Sequence, residues 1–282
     1  MSRPEPEIFE SSGSRLSLYR DAPIWDGKPC AAIGELNFKS KHDGIQLINK
    51  AISQIDDGQF HALLGPMNGD TWHPYRAVLQ TDESAPFMLE PTSGPHDLFC
   101  LRMTGFEVVS HYHSNHAALA DTLAMNPVTV KDVEITQWDG KNGKAFVDLI
   151  FTMSKDSFAK NSFFKPIELN AFRSLYIPLL TAIDPRFVLV ATHKTAGICG
   201  FLFGYPDMST PKTNPTIVLK TYASGMRGVG YALADYFHRT AIEAGFQSVI
   251  HALMQEENIS LQRSAQHNAV TFRRYALLAR RL

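Results

Sequence analysis

The chain has 282 residues, of which 44% are hydrophobic and 20% are charged, and its formal net charge is -1. This length is large for one ordinary domain and comfortable for two, and the composition gives each a hydrophobic core and excludes general disorder. Because the net charge is near zero and no long basic stripe occurs, the sequence predicts neither a nucleic-acid partner nor binding to a membrane surface.

The segment 1–14 is polar and acidic, and we expect a flexible N-terminal arm rather than a signal peptide, because it has no apolar core. No apolar run in the sequence approaches the roughly 20 residues that cross a bilayer. Cys30, Cys100 and Cys199 are widely separated and form no Cys-x-x-Cys pair, so neither a disulfide framework nor a zinc knuckle is expected. These features predict a cytoplasmic protein.

Residues 15–125 are predicted to form a first lobe of strands and helices. Isoleucines recur at helical spacing from Ile45 to Ile55, and Gly58 stands where such a helix would stop. The patterns predict, in order, strands at 15–19 and 30–38 around an Asp-Gly turn, a helix at 43–58, a strand at 60–65, a helix at 95–106 and a strand at 107–114. A softer region, 114–130, joins this lobe to the next.

Residues 126–282 are predicted to form a second, larger lobe. Its patterns predict a strand at 133–140, helices within 145–155 and 168–183, a β-hairpin at 186–206, a strand at 216–224, a Gly-rich loop and helix at 225–245, a strand at 248–254, a short helix at 258–268 and a closing strand at 270–282. The fold class that follows is α+β.

Two similar octets indicate that the lobes repeat one another. Residues 61–68 read HALLGPMN and residues 251–258 read HALMQEEN, and each octet follows a helix that ends at a Gly. The first lobe also has the same order of elements as the back part of the second, apart from an insertion at 69–94. The sequence therefore predicts a tandem repeat whose likeness lies mainly in the pattern of elements.

The loop Arg227-Gly228-Val229-Gly230 lies between a predicted strand and a predicted helix. Backbone N–H groups at a helix N-terminus have no intrahelical acceptor, and glycines let an anion approach them closely, so this loop predicts a phosphate or pyrophosphate site. A P-loop would need Lys-Ser/Thr where Tyr231-Ala232 stand, and the preceding hairpin argues against a doubly wound dinucleotide fold. A tight turn without any ligand is the alternative.

This loop and the order of elements resemble the GNAT superfamily of acyl-CoA N-acyltransferases. The resemblance rests on IVLKTYASGMRGVGYAL (217–233), where that family has a strand, a Gln/Arg-x-x-Gly-x-Gly/Ala loop and a helix, and on VIHALMQEENISLQRSA (249–265). The whole chain is similar to two-lobed GNAT-like proteins, through the segment from Leu63 to Arg76 and the helix ending at Gly105-Phe106. It implies tandem GNAT-like lobes with mixed, mostly antiparallel sheets and no metal.

The resemblance also implies roles for particular residues. Acetyl-CoA would be the co-substrate, with its pantetheine arm and acyl carbonyl against the backbone of Tyr222 and Ala223 and its amides on Asn258. Its pyrophosphate would lie on the loop and first helical turn, formed by Met226, Arg227, Gly228, Val229, Gly230, Tyr231 and Ala232. Glu257, with Glu256 beside it, is a candidate base for the incoming ammonium, and solvated loop carboxylates are the alternative.

Two departures from the family pattern bear on activity. The loop position that usually holds Gln or Arg is Gly225, with an arginine shifted to Arg227. The family's Tyr, the acid that protonates the leaving thiolate, corresponds by spacing from Asn258 to Ala265, which leaves Ser264 and Tyr222 as nearby candidates. These departures support the alternative of a non-catalytic acyl-CoA- or ligand-binding protein.

Other polar groups have ordinary structural explanations. His111, His113 and His116 lack companions at metal-ligand spacing, so a surface strand is favoured over a metal site. A cluster formed by Trp72, His73, Tyr75 and Arg76 is expected either to line an acceptor pocket at the lobe junction or to pack as a loop. His61 and His251 are expected on strands, with their ring nitrogens hydrogen-bonded.

The sequence as a whole predicts an acyl-CoA-dependent N-acyltransferase that transfers acetyl to an amine of a small molecule or peptide. Transfer from an aminoacyl-tRNA is a third reading, against which the absence of basic patches counts. Neither the acceptor nor the acyl chain length is identified. The oligomeric state is also left open, with a homodimer as one option.

Overall fold

A computed structural model of the chain describes residues 5–55 and 58–282. The chain forms two compact units. Unit 1 comprises Met1–His113, Lys160–Pro166 and Arg273–Leu282, and unit 2 comprises Ser114–Ala159 and Ile167–Phe272. This division differs from the predicted boundary between residues 125 and 126, because two long strands each begin in one unit and end in the other.

Unit 1 contains a mixed sheet with one parallel pair of strands. Its elements are β1 (Glu7–Ser11), β2 (Ser14–Tyr19), β3 (Cys30–Asn37), α1 (Lys41–Ser53), β4 (Ala62–Gly65), β5 (Ala77–Gln80), α2 (Asp97–Met103), the start of β6 (Glu107–Ala118) and most of β12 (Val270–Arg281). The strand order is β1-β2-β3-β4-β12, with β5 also on β12. Only the β3–β4 pair is parallel among the registers described for this unit.

Two strands of unit 1 lie where the sequence patterns predicted none. Residues 7–11, inside the predicted flexible arm, form β1 and pair with β2 from Glu7↔Leu18 to Ser11↔Ser14. Residues 77–80, inside the predicted insertion, form β5 and pair with β12. Both are short and contain few buried side chains, so their alternation is too brief to identify a strand locally.

Unit 2 contains paired strands that are also mixed in direction. Its elements are the end of β6, β7 (Val133–Gln137), α3 (Gly143–Phe158), α4 (Leu169–Tyr176), β8 (Val188–His193), β9 (Gly197–Pro206), β10 (Thr216–Ser224), α5 (Val229–Glu243), β11 (Ser248–Gln255), α6 (Ile259–Ala265) and the start of β12. Short 3₁₀ helices cover Leu119–Thr122, Ile177–Ala182 and Pro185–Phe187. The strand order is β6-β11-β10-β9-β8-β7, and β10–β11 is the parallel pair.

Two predicted segments of unit 2 differ from the structure. The region 114–130, expected to be a soft connection, contains the end of β6 and a 3₁₀ helix. The single helix predicted over 168–183 ends at Tyr176 and continues as the 3₁₀ helix Ile177–Ala182. Pro178 explains the change, because a proline has no backbone N–H to donate along an α-helix.

The predicted repeat exists in the topology, but the two octets are not in register. In each unit a strand, a helix and a parallel strand follow one another: β3, α1 and β4 in unit 1, and β10, α5 and β11 in unit 2. The parallel pairing begins at Cys30↔Ala62 in unit 1 and at Thr216↔Ser248 in unit 2.

The residue just before each pairing makes the same hydrogen bond. The backbone N–H of His61 donates to Pro29 O at 2.9 Å, and that of Gln247 donates to Pro215 O at 3.0 Å. His61 therefore corresponds in structure to Gln247, and not to His251. The shared HAL letters are a coincidence, whereas the shared order of elements is a feature of the fold.

The position of α5 depends on two glycines of β9. A Cβ at Gly204 would lie 2.4 Å from Phe237 Cε2, and a Cβ at Gly200 would lie 2.8 Å from Val229 Cγ1. Because neither glycine has a side chain, α5 packs directly on β9. Phe237 of α5 is fully buried in this contact. This close packing fixes where the N-terminus of α5 stands relative to the end of β10.

Candidate functional site

The parallel strands β10 and β11 separate part-way along their length. Their pairing runs from Thr216↔Ser248 to Leu219↔His251, while both strands continue beyond, to Ser224 and Gln255. At the same level β10 has an irregular register with β9, between Leu219 and Thr221, and β11 has Leu253 at a φ of +56°. A β-bulge bends the strand that carries it. The far ends of the two strands therefore open apart, toward the N-terminus of α5.

The loop after β10 ends in an uncapped helix N-terminus. Gly228 occupies the N-cap of α5 with a φ of +86°, and no side chain accepts a hydrogen bond from the first turn. The turn is tight, because the N–H of Val229 donates to Met226 O at 3.3 Å. The helix has 15 residues, so its dipole adds to the positive character of these N–H groups. The phosphate or pyrophosphate site that the sequence predicts for this loop stays a prediction.

Three side chains surround Gly230 in the first turn of α5. A Cβ at this position would lie 3.1 Å from Ser224 Oγ, 3.2 Å from Tyr222 Cε2 and 3.2 Å from Arg263 Nη1. Gly230 itself is buried. Any side chain here would fill the space in front of the N–H groups of the turn, which gives a physical reason for a glycine.

Arg263 is the residue of this neighbourhood that sequence reasoning missed. It is half-buried on α6, the helix that follows β11. The available signal was its position five residues after Asn258, the residue that the family resemblance assigns to the amides of the donor. The loop's own Arg227 is exposed.

The structure brings most of the predicted donor-site residues into one region of unit 2. Tyr222 and Ala223 lie at the end of β10, and the run from Met226 to Ala232 forms the loop and first turn of α5. Asn258 is exposed at the N-cap of α6, where its Oδ1 accepts a hydrogen bond from Ser260 N at 3.4 Å. Its predicted contact with pantetheine amides stays a prediction.

The candidate catalytic groups have different surroundings. Glu257 and Glu256 are exposed just beyond the end of β11, so a base role there stays a prediction. Tyr222 is half-buried beside Gly230. Ser264, in contrast, is only 2% exposed, and Asn115 Nδ2 donates to its Oγ at 3.0 Å. A buried hydroxyl that is already engaged is better suited to holding α6 than to protonating a thiolate.

Ser264 belongs to a chain of buried hydrogen bonds. Thr271 Oγ1 donates to Asn115 Oδ1 at 2.8 Å, Ser264 Oγ lies 2.8 Å from His251 Nδ1, and His251 Nε2 lies 3.2 Å from His238 Nε2. Which group donates in each of the two imidazole contacts depends on the tautomer of each histidine. Nδ1 of His238 is buried with no hydrogen-bond partner among the described residues.

Both histidines of this chain are held in the neutral form. Burial, with a smaller effect from the neighbouring His267 and His116, lowers the pKa of His251 from 6.5 to about 3. Burial and the neighbouring His251 and His267 lower the pKa of His238 well below its ordinary range. Removing an imidazolium from water is costly when no carboxylate compensates the charge. Both imidazoles are therefore neutral at physiological pH.

Unit 1 lacks these openings at the corresponding place. The N–H of Met67 donates to Ile33 O at 2.7 Å, and the N–H of Glu35 donates to Asn68 Oδ1 at 2.9 Å, so bonds from the segment after β4 satisfy the end of β3. Ser40 caps α1 by accepting from Asp43 N at 3.1 Å. The end of β3 and the N-terminus of α1 are thus already hydrogen-bonded to other groups of unit 1.

The aromatic-polar cluster of unit 1 is tied together by internal contacts. Asp70 Oδ1 accepts from Trp72 N at 2.9 Å and lies 2.7 Å from His73 Nδ1. The guanidinium of Arg76 lies 4.0 Å from the Tyr75 ring centroid and 3.9 Å from that of Tyr112. These contacts fit the packed-loop reading, and an acceptor pocket here stays a prediction.

Neither a group of metal-ligating side chains nor a membrane-spanning helix is found in the part of the chain that the structure describes. Within residues 5–55 and 58–282, no three His, Cys, Asp or Glu side chains are grouped so as to hold a metal ion. Over the same residues, each helix is too short or too polar to cross a membrane.

Comparison with solved structures identifies the fold. A GCN5-related N-acetyltransferase from Sphaerobacter thermophilus superposes with a TM-score of 0.55 at 13% identity, covering 95% of this chain and 76% of that one. A tandem GNAT protein from the clavulanic acid biosynthesis pathway gives a TM-score of 0.55 at 14% identity, covering 100% and 85%. The chain has the GCN5-related N-acetyltransferase fold. The match to a tandem protein along the whole length agrees with the repeated order of elements.

A further match widens the comparison without identifying the activity. A conserved protein of unknown function from Enterococcus faecalis V583 gives a TM-score of 0.59 at 12% identity, covering 95% of this chain and 58% of that one. No family model matches the sequence, and no curated protein is similar to it. The GNAT fold is therefore established by structure, and the reaction is argued from the site.

Proposed function

We propose that the chain is an acyl-CoA-dependent N-acyltransferase whose donor site lies in unit 2. The observation that supports it is that two features lie side by side. The strands β10 and β11 open apart next to the N-terminus of α5, which has no side-chain cap and contains Gly228 and Gly230. An extended amide-bearing arm fits between separated strands, because their free backbone groups can hydrogen-bond to it. A diphosphate fits the helix N-terminus. Acyl-CoA joins both groups in one molecule.

The residues around the opening would hold the donor as follows. Backbone groups at Tyr222 and Ala223 would orient the thioester and polarise its carbonyl, and the loop from Met226 to Ala232 would receive the diphosphate. The donor supplies an acyl group on a good leaving group, a thiolate. The incoming amine is an unidentified small molecule or peptide, and acetyl is the simplest acyl group.

Proton transfer is the less determined part of the proposal. An ammonium must lose a proton before it attacks, and Glu257 or Glu256, exposed beyond β11, would accept it directly or through water. Tyr222 would protonate the thiolate. Because a thiolate leaves readily even without an acid, loss of that proton donor would lower the rate by about 10- to 100-fold rather than abolish it.

A non-catalytic acyl-CoA-binding protein is the alternative. Two departures from the GNAT superfamily pattern favour it. Gly225 stands at the loop position where that pattern usually has Gln or Arg, and Ala265 stands where many members have the Tyr that protonates the thiolate. Both functions require donor binding, but only the first requires turnover. Release of free thiol from acetyl-CoA by the pure protein, with a panel of amines, separates them.

Binding is tested by calorimetric titration with acetyl-CoA. We expect a Kd of about micromolar for the wild type and no binding for Gly230→Glu, whose side chain and negative charge would fill the space near Ser224 and Arg263. The matched control is Gly225→Ala, because an added Cβ at Gly225 meets no atom within 4 Å. A folded wild type that does not bind acetyl-CoA would exclude the acetyl-CoA-dependent function and move the search to other acyl donors.

A further inference from the structure

Two positive features meet at Gly230. The first is the uncapped N-terminus of α5, and the second is the guanidinium of Arg263, whose Nη1 lies 3.2 Å from the Cβ position of Gly230. Among the ion pairs of the described residues, Arg263 takes part in none. An arginine is always charged, and a cation is disfavoured near a helix N-terminus. The arrangement becomes favourable when an anion lies between the two.

The place of Arg263 is fixed by its neighbour in sequence. α6 has 7 residues, and Ser264 is its one buried residue. A helix this short is not stable alone, so its position depends on tertiary contacts. Asn115 Nδ2 on β6 and His251 Nδ1 on β11 lie 3.0 and 2.8 Å from Ser264 Oγ. These contacts hold α6 against the sheet, with Arg263 directed to the loop.

We propose that Arg263 binds the phosphate groups of the donor and that Ser264 is a positioning residue acting through it. Arg263 would supply, from α6, the cation that is missing at the loop position Gly225. The proposal rests on the proposed function, because it takes the diphosphate of acyl-CoA as the anion. It also assigns Ser264 a role different from the proton donor considered from sequence.

The test compares two arginines that differ in position but not in charge. Arg263→Gln and Arg227→Gln each remove one cation near the same loop, and Arg227 is exposed. Each variant is titrated with acetyl-CoA, with ADP as a diphosphate probe and with S-acetylpantetheine, which has no phosphate. Thermal unfolding confirms that both variants fold.

We expect Arg263→Gln to weaken acetyl-CoA and ADP binding by about 10- to 100-fold, the range of a charge-assisted hydrogen bond, and to leave S-acetylpantetheine binding unchanged. Arg227→Gln should weaken acetyl-CoA and ADP binding less than Arg263→Gln does, because Arg227 is exposed and its charge is screened by solvent. Arg263→Lys should recover part of the affinity, since it keeps the charge but not the fork of donors.

The role of Ser264 is tested by a double-mutant cycle. Ser264→Ala should weaken acetyl-CoA binding in the wild type and have no further effect in Arg263→Gln, because the serine acts only through the arginine. Equal effects in both backgrounds would overturn the positioning role.

Other results would overturn the proposal in distinguishable ways. If the wild type binds acetyl-CoA and Arg263→Gln binds it equally well, Arg263 is not the phosphate ligand, and the proposed function stands. If Arg227→Gln loses ADP binding instead, the cation lies on the loop. If the wild type binds neither acetyl-CoA nor ADP, the proposed function and this inference both fail.

Discussion

The buried histidine pair predicts a specific loss of stability in mild acid. His251 and His238 stay neutral in the folded protein because burial lowers the pKa of each, to about 3 in the case of His251. In the unfolded chain each has an ordinary pKa of about 6.5. Between these two pKa values the unfolded state binds more protons than the folded state. The free energy of unfolding therefore falls as the pH falls below about 6.5, and the contribution of the neutral histidines to stability is complete above about pH 6.5.

The magnitude follows from the proton-binding difference. On going from about pH 7.5 to about pH 5, protonation favours the unfolded chain by about 2 kcal/mol for His251, since the folded form takes up almost no proton at either pH. His238 contributes in the same direction, because burial lowers its pKa too. A change of about 2 kcal/mol is already a large fraction of the stability of an ordinary domain.

The assay is urea unfolding at both pH values and one ionic strength, for the wild type and for His251→Gln. Glutamine can still hydrogen-bond to Ser264 and His238 but does not titrate, so the variant should lose about 2 kcal/mol less than the wild type on acidification. His42→Gln, which removes an exposed histidine from α1, is the matched control. Equal losses for the wild type and His251→Gln would refute the reasoning that His251 is buried in the neutral form.

Three further predictions concern packing, a buried ion pair and the donor loop. Gly204→Ala should lower the free energy of unfolding by about 1–3 kcal/mol in a urea titration, because the new Cβ would lie 2.4 Å from the Phe237 ring; an unchanged midpoint would contradict the close packing of α5. Arg273→Met should cost about 3–5 kcal/mol by the same assay, because Glu90, 2.5 Å from Arg273 and fully buried, would keep an unpaired charge. Adding Glu90→Gln should recover part of that loss, and no recovery would count against this cause. Gly225→Arg should tighten acetyl-CoA binding by about 3- to 10-fold in calorimetry, because the position is open and adds a cation to the loop; unchanged affinity would place the phosphates elsewhere.

Much of the secondary structure could be predicted from the sequence because it depends on local patterns. The alternation in β2, β3, β7 and β10 and the helical spacing from Ile45 to Ile52 are each visible within about ten residues. The glycine-rich loop was also predictable, because Gly228 and Gly230 lie between a strand and a helix. Local patterns failed for β1 and β5, whose few buried side chains leave little periodicity.

The candidate site was only partly predictable. The residues from Tyr222 to Ala232 are contiguous, so one motif identified them. Arg263 and the chain from Asn115 to Ser264 are not contiguous: the latter two are 149 residues apart, and no spacing rule connects them. The same limit hides the burial of Ser264, so the sequence alone leaves this residue as a candidate proton donor.

The sequence by itself determined the order of strands and helices, the glycine-rich loop after β10 and the repetition of one strand-helix-strand pattern. These depend on propensity and periodicity, which act over a few residues. Three features were decided only by the tertiary structure. They are the register by which His61 does not correspond to His251, the division of β6 and β12 between the two units, and the position of Arg263 beside the N-terminus of α5. These depend on which distant surfaces pack together, because register and partner are selected by the burial of whole faces and not by any one segment.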